Sequence, residues 1–211
     1  MEEKLEQYLQ AVLSVSPEWI RNLESEAKAE QVPIMDPVGM DFMMQLIRLT
    51  KPKRILEIGT AIGYSALRML EANPDATIVT IEQDEKRYKQ AVHNINKLEM
   101  GNSIQVIHGD AADKISTLDA ERTFDMVFID AAKGKYKRFF ELSAPLLAKN
   151  GYILSDNVLF KGFVADSEKE HPRFQKIARK LRDYNEWLVQ HPDFITSIVP
   201  VGDGVAISYK K

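Results

Sequence analysis

Carboxylate and amide side chains follow two predicted strands in the second half of the chain. Asp130 comes directly after the apolar run 124–129, and Asp156 and Asn157 follow the run 152–155. If these strands are neighbours in a parallel sheet, the three side chains meet at one edge, because parallel strands end on the same side. Two carboxylates and an amide suit a hard cation such as Mg²⁺, and Mn²⁺ or Ca²⁺ fits the same oxygens. An Asp-Asn turn that only caps a loop is the alternative interpretation.

A glycine turn lies upstream of these residues, between a short apolar run and a helix-favouring run. Its sequence is Leu56-Glu-Ile-Gly-Thr-Ala-Ile-Gly-Tyr-Ser65. Gly59 and Gly63 let the backbone approach a ligand closely, and a helix start offers free N–H groups. Ala61 replaces the middle glycine of the dinucleotide fingerprint, so a nucleoside smaller than a dinucleotide is favoured. An ordinary strand-to-helix turn would look the same.

Two more predicted strands end in acidic residues. The run 77–81 is followed by Glu82, which lies 23 positions after Gly59. This is close to the offset of roughly 20 residues at which an acidic side chain takes a ribose hydroxyl. The run 104–107 is followed by Asp110-Ala111. Because ligands bind outside the carboxyl ends of parallel strands, the series of acidic ends predicts one binding site along that edge.

The elements that position these residues alternate between strand and helix after residue 50, which predicts right-handed βαβ units. Amphipathic helices precede them in residues 1–50, and Asp36-Pro37 is a good start for the third of these helices. Further helices are predicted at 134–147 and 172–190. The chain ends in two β runs joined by the glycine-rich turn 200–204, which indicates an antiparallel hairpin.

Length and composition exclude several classes of protein. The 211 residues are enough for one substantial core, so we expect a single domain over 1–211. The absence of cysteine excludes disulfides, thiolate metal sites and a cysteine nucleophile. We expect no membrane association and a cytoplasmic location, since no apolar run approaches the ~20 residues of a membrane span and the acidic N-terminus lacks a signal core. The net charge of -3 argues against nonspecific coating of nucleic acid but leaves a local basic patch open.

Three motifs occur in the order found in a known family. The segments 56–65, 128–133 and 155–157 together resemble the metal-dependent class I S-adenosylmethionine O-methyltransferases of the catechol and caffeoyl-CoA group. The resemblance extends from about residue 33 to the C-terminus. It implies a Rossmann-like α/β fold with a mostly parallel seven-stranded sheet, a C-terminal antiparallel hairpin and extra N-terminal helices. Segment 33–37 is similar to the short bacterial members that convert 5-hydroxyuridine at the tRNA wobble position to 5-methoxyuridine.

The resemblance also implies roles for individual residues. Asp130, Asp156 and Asn157 would hold Mg²⁺, and Lys133 would lie beside the substrate hydroxyl, so that Lys133 and Asp130 are the expected catalytic residues. We expect Lys133 to assist rather than to be strictly required; a surface lysine is the alternative. The family suggests a homodimer. The implied contacts with S-adenosylmethionine are Met35, Glu57, Gly59, Gly63, Ser65, Glu82, Asp110, Ala111 and Asp130.

The substrate is not decided by metal chemistry, because catechols and 5-hydroxyuracil both carry a hydroxyl beside a second oxygen. A basic cluster that could contact tRNA phosphates comprises Lys133, Lys135, Lys137, Arg138, Lys161, Arg173, Lys176, Arg179, Lys180 and Arg182. A solvated helix face, partly neutralised by Asp166, Glu168, Glu170 and Asp183, explains the same charges. The tRNA prediction therefore comes from the resemblance. A small vicinal-oxygen substrate and a noncatalytic nucleoside-binding protein are the alternatives.

Overall fold

The structure, a computed structural model, describes residues 3–121, 123–165 and 174–211, with the side chain of residue 3 left out. Three helices precede the sheet: α1 (Glu3–Val12), α2 (Glu18–Ala29) and α3 (Pro37–Thr50). The third begins as predicted, because Asp36 Oδ1 accepts hydrogen bonds from the backbone N–H groups of Val38 and Gly39 at 3.0 and 2.9 Å.

No described helix is long and apolar enough to cross a membrane. The cytoplasmic location stays a prediction.

Seven strands form one sheet in the spatial order β3-β2-β1-β4-β5-β7-β6. Strands β1 to β5 pair in parallel, and β7 lies antiparallel between β5 and β6. This arrangement confirms the predicted Rossmann-like fold and the terminal hairpin. The strands are β1 (Arg54–Ile58), β2 (Thr77–Glu82), β3 (Ile104–His108), β4 (Phe124–Ile129), β5 (Leu147–Ser155), β6 (Phe194–Val199) and β7 (Val205–Lys210).

Helices cover both faces of the sheet and bury two apolar cores. The first core includes Ile20 and Met43 from the N-terminal helices, and the second includes Phe140 and Leu181. Burial of these side chains holds the strands in register, which fixes where their carboxyl ends lie. The remaining helices are α4 (Tyr64–Ala72), α5 (Glu85–Lys97), α6 (Ala111–Ile115), α7 (Tyr136–Ser143) and α8 (Gln175–Val189).

Two helix predictions differ from the structure at their ends. The helix predicted at 134–147 was too long: α7 ends at Ser143, a single 3-10 turn follows, and Leu147 already belongs to β5. Pro145 lies in that turn and has no N–H with which to continue an α-helix. The helix predicted at 172–190 is α8, and residues 172 and 173 lie outside the described part of the chain.

Candidate active site

A cavity of about 650 Å³ opens at the carboxyl edge of the parallel strands. It brings together nine of the predicted site residues, from the N-terminal segment, the glycine turn and four strand ends: Met35, Gly59, Ser65, Glu82, Ala111, Asp130, Lys133, Asp156 and Asn157. Glu57, Gly63 and Asp110 lie outside its lining. A cavity is therefore present at the predicted edge of the sheet. The contacts that position its lining residues differ from one part of the cavity to the next.

The glycine turn lies between the ends of two neighbouring strands. Gly59 has a φ of 105°, and a Cβ atom there would lie 1.9 Å from the backbone oxygen of Asp130. Only glycine fits this approach, because any side chain would push β1 and β4 apart. Gly63 lies at the start of α4, where it faces Ile95 instead of the cavity. The turn thus forms the cavity wall at Gly59 and the helix start at Gly63.

Glu57 lies fully buried beneath the cavity. Ser65 Oγ donates a hydrogen bond to Glu57 Oε1, and Thr80 Oγ1 donates to Oε2 at 2.6 Å. Burial raises the pKa of Glu57 to about 8, although these two donors oppose the rise. The carboxyl therefore contributes to the site by orienting Ser65, which lines the cavity.

Glu82 and Asp110 accept hydrogen bonds from backbone N–H groups at the rim of the cavity. Glu82 accepts hydrogen bonds from the N–H groups of Ala61 and Asp84, both at 2.9 Å. Asp110 Oδ1 accepts from the N–H of Ala112 at the start of α6, and Oδ2 pairs with Lys135 Nζ at 2.8 Å. The hydrogen bond from Lys135, followed by that from Ala112, lowers the pKa of Asp110. Glu82 lines the cavity, whereas after β3 the lining residues are Gly109 and Ala111 and not Asp110.

Asp130 and Asp156 end adjacent strands, as predicted, since Ile129 of β4 pairs with Ser155 of β5. Asp156 is 1% exposed, and neither of its carboxylate oxygens accepts a hydrogen bond of normal geometry from a described group, although the backbone N–H of Asn157 lies close enough to lower its pKa. Burial raises the pKa of Asp156, and the nearby charge of Asp130 raises it further. Burial also raises the pKa of Asp130, an effect that Lys133 opposes. Two buried acidic groups thus lie close together, with Lys133 as the nearby positive charge that opposes the rise in both pKa values.

These residues fit a hard cation by their chemistry. The described residues contain no group of three or more His, Cys, Asp or Glu side chains that could hold a metal. The predicted ligand set is of another kind, with two carboxylates and the amide of Asn157. An ionised buried carboxylate without a partner is costly, and a cation would offset that cost at the unpartnered oxygens of Asp156. Metal binding at this set stays a prediction.

Lys133 contacts the amide of the predicted ligand set. Its Nζ donates a hydrogen bond to Asn157 Oδ1 at 2.6 Å, and it lies 5.9 Å from the centre of the Phe160 ring. Phe160 also lines the cavity, as does Asp203 from the turn between β6 and β7. The sequence interpretation missed both. The one sequence signal near Asp203 is its position inside the glycine-rich turn 200–204, which indicates a hairpin turn.

Comparison with known proteins identifies the family of this chain. A family model described as O-methyltransferase matches residues 12–211. The chain belongs to the O-methyltransferase family. The enzyme is 33% identical over 173 residues to the flavonoid 3',5'-methyltransferase of Vitis vinifera, covering 79% of this chain and 74% of the relative. It is 35% identical over 141 residues to a catechol O-methyltransferase of Niastella koreensis, covering 65% and 64%.

A solved structure shows the same fold with a cofactor product bound. The O-methyltransferase superposes on the SAH-bound methyltransferase PaMTH1 of Podospora anserina with a TM-score of 0.91 and 26% identity, covering 100% of this chain and 97% of that one. Together with the family match, this makes the chain an S-adenosylmethionine-dependent methyltransferase. The family assignment favours an enzyme over the noncatalytic alternative.

Proposed function

We propose that the enzyme methylates a hydroxyl that lies beside a second oxygen, with a divalent cation held by Asp130, Asp156 and Asn157. The observation that carries this proposal is the burial of Asp156 without any described hydrogen-bond donor at the cavity wall. Mg²⁺ bound there would lower the pKa of a coordinated hydroxyl. The remaining contribution of the protein is to bind, orient and shield the reactants.

S-adenosylmethionine would occupy the cavity end formed by the glycine turn and the rims of β2 and β3. Glu82 keeps acceptor capacity on both oxygens for ribose hydroxyls, and Ala111 presents an apolar surface to the adenine. Met35 would contact the cofactor from the side of α3. Methyl transfer needs an aligned nucleophile, so that such positioning supplies much of the rate acceleration. The roles of the individual residues belong to this proposal.

Lys133 would act at the acceptor hydroxyl. Its hydrogen bond to Asn157 keeps the ammonium at the predicted ligand set, where a developing oxyanion gains electrostatic stabilisation. The same group could accept the hydroxyl proton only after it had lost one of its own. We therefore propose that Lys133 assists by stabilising negative charge.

The substrate that we favour is 5-hydroxyuridine in tRNA, which the enzyme would convert to 5-methoxyuridine. Lys133, Lys135 and Lys161 line the cavity. Helix α8 places Lys180 nearby, since its Nζ lies 3.1 Å from the position that a Cβ atom of Gly134 would occupy. Lys135 pairs with Asp110 and Lys133 is assigned to the acceptor, so Lys161 and Lys180 are the charges proposed to contact the phosphates of an anticodon loop. Four of the charges assigned to this surface, Asp166, Glu168, Glu170 and Arg173, lie outside the described residues.

A small catechol-type substrate is the second candidate, and the relatives favour it. Those relatives are named for methyl transfer to a flavonoid and to catechol. The metal chemistry proposed above would serve either acceptor. A homodimer stays a prediction in both cases.

The deciding experiment offers both substrate classes to one enzyme. Purified protein, S-adenosylmethionine and Mg²⁺ are incubated with tRNA carrying 5-hydroxyuridine and with a catechol panel, and products are identified by mass. We expect methylated tRNA, with activity that falls as salt rises because phosphate contacts release counterions. Lys180→Gln should reduce the salt slope by about one, and the exposed Lys97→Gln on α5 should leave it unchanged. Catechol methylation with none on this tRNA would assign the second candidate.

A further inference from the structure

The turn between β6 and β7 is hydrogen bonded to the segment that directly follows Asn157. The N–H of Val158 donates to the backbone oxygen of Gly204 at 3.0 Å, and the N–H of Leu159 donates to that of Asp203 at 2.9 Å. Gly204 has a φ of 88°, and a Cβ atom there would lie 2.4 Å from Leu159 Cγ. The turn is therefore seated against the loop that carries the predicted metal-binding amide.

Asp203 extends from this turn into the cavity wall. Its Oδ1 accepts a hydrogen bond from the backbone N–H of Lys161 at 3.1 Å, which holds the carboxylate at the cavity wall. No described group donates a hydrogen bond to Oδ2. A substrate that fills the cavity would remove water from this oxygen, and an acceptor that loses water without gaining a donor disfavours binding. A ring with a donor at that position would bind without this cost.

The two candidate substrates differ at this position. In 5-hydroxyuracil the hydroxyl on C5 and the carbonyl on C4 are followed around the ring by the N3–H donor. In a catechol the group next to the two oxygens is a C–H. With the two oxygens at Asp130, Asp156 and Asn157, the third group of the ring would face the part of the cavity wall that Asp203 forms next to the loop after Asn157.

We propose that Asp203 is a specificity-determining residue that accepts a hydrogen bond from the N3–H of a 5-hydroxypyrimidine. The inference rests on the proposed methylation of 5-hydroxyuridine and adds a reason why the site prefers this base to a catechol. Asp203 favours the pyrimidine by pairing with its N–H, and disfavours the catechol by placing an unpaired charge against its C–H.

The first test is Asp203→Asn, which retains an oxygen for the Lys161 N–H and turns an N–H₂ group toward the substrate. We expect kcat/KM for tRNA carrying 5-hydroxyuridine to fall at least about tenfold, since hydrogen bonds to charged groups are among the stronger ones. Methylation of 3,4-dihydroxybenzoate should rise by about two- to fivefold, because the variant removes the unpaired charge from beside the catechol C–H. Asp193→Asn is the matched control, because this exposed residue lies at the opposite end of β6.

A second substrate pair tests whether Asp203 pairs with the N3–H, and it does so even if catechols are not methylated. The wild-type enzyme should have at least about a tenfold higher kcat/KM for tRNA carrying 5-hydroxyuridine than for tRNA carrying N3-methyl-5-hydroxyuridine. Asp203→Asn should shrink that preference. Equal losses on all substrates would overturn the proposal and indicate that Asp203 only supports the loop; no loss would overturn it as well. If the wild-type enzyme does not methylate tRNA carrying 5-hydroxyuridine, the proposed tRNA function itself is rejected, and the role of Asp203 with it.

Discussion

Two buried carboxyl groups at this sheet edge have opposite surroundings. Glu57 under the glycine turn is 0% exposed and receives hydrogen bonds from Ser65 and Thr80. Asp156 at the end of β5 is 1% exposed, and no described group donates to either of its oxygens. The two carboxyl groups are thus equally buried, but they differ in their hydrogen-bond donors. A buried carboxyl with donors is satisfied by the protein itself, whereas one without them requires an explanation, for which we propose a bound cation.

The comparison also separates two ways in which burial affects function. Glu57 can stay protonated near neutral pH, because its pKa is raised to about 8 and its partners tolerate either form. Asp156 lies beside a second acid, and burial followed by the charge of Asp130 raises its pKa, an effect that Lys133 partly opposes. The first region is therefore a scaffold and the second a proposed binding site.

The largest expected effect comes from Asp156→Asn. Methyl transfer should fall on the order of a hundredfold to a thousandfold, because the proposed cation loses a charged ligand. Without added metal the variant should be at least as stable as the wild type near neutral pH, since a buried acid next to Asp130 has been replaced by an amide that cannot ionise. Assays of methyl transfer and urea unfolding check the two expectations.

Added Mg²⁺ extends that test. It should raise the melting temperature of the wild type through preferential binding to the folded state, and leave that of Asp156→Asn unchanged. The exposed Asp75→Asn serves as the control and should respond like the wild type. A wild type that is indifferent to Mg²⁺, Mn²⁺ and Ca²⁺ in both stability and activity would contradict the proposed cation site.

Lys133→Ala should have a smaller effect. We expect kcat to fall by about tenfold to a hundredfold, because a charge that stabilises the developing oxyanion is lost, while KM for S-adenosylmethionine stays unchanged. Single-turnover rates measure the chemical step directly. Lys149→Ala, an exposed lysine on β5 outside this cavity, is the control. Unchanged turnover in Lys133→Ala would remove the residue from the mechanism.

Glu57→Gln should have its clearest effect on the pH dependence of stability. In the folded protein Glu57 keeps its proton up to a pKa of about 8, whereas its ordinary value is 4.5. The stability that this group contributes is therefore present below about pH 4.5 and is lost as pH rises toward 8. The wild-type free energy of unfolding should decline over this window, and the glutamine variant should decline less.

Urea titrations at several pH values between 4 and 9 test this difference between the two proteins. Parallel curves for wild type and Glu57→Gln would mean that the carboxyl ionises normally in spite of its burial. The comparison between Glu57 and Asp156 would then rest on hydrogen bonds alone.

Local sequence signals predicted much of the fold. The apolar runs before Gly59, Glu82 and Asp130 are strands, and Asp36 begins a helix as its side chain predicts. These features depend on neighbouring residues, so sequence patterns contain them. Helix α6 was missed because its five residues are too short to establish a helical period. The boundary near Pro145 depended on whether the following residues joined β5, which is a nonlocal pairing.

Sequence alone determined the chemical types at the sheet edge: a glycine turn, a series of acidic strand ends, and an amide with a lysine nearby. Only the tertiary structure decided which of these groups are satisfied. It gave Glu57 its donors, left Asp156 without any that the structure describes, and brought Asp203 beside the segment that follows Asn157. The physical reason is that hydrogen bonding and desolvation depend on groups that are distant in sequence and meet only when strands and helices pack.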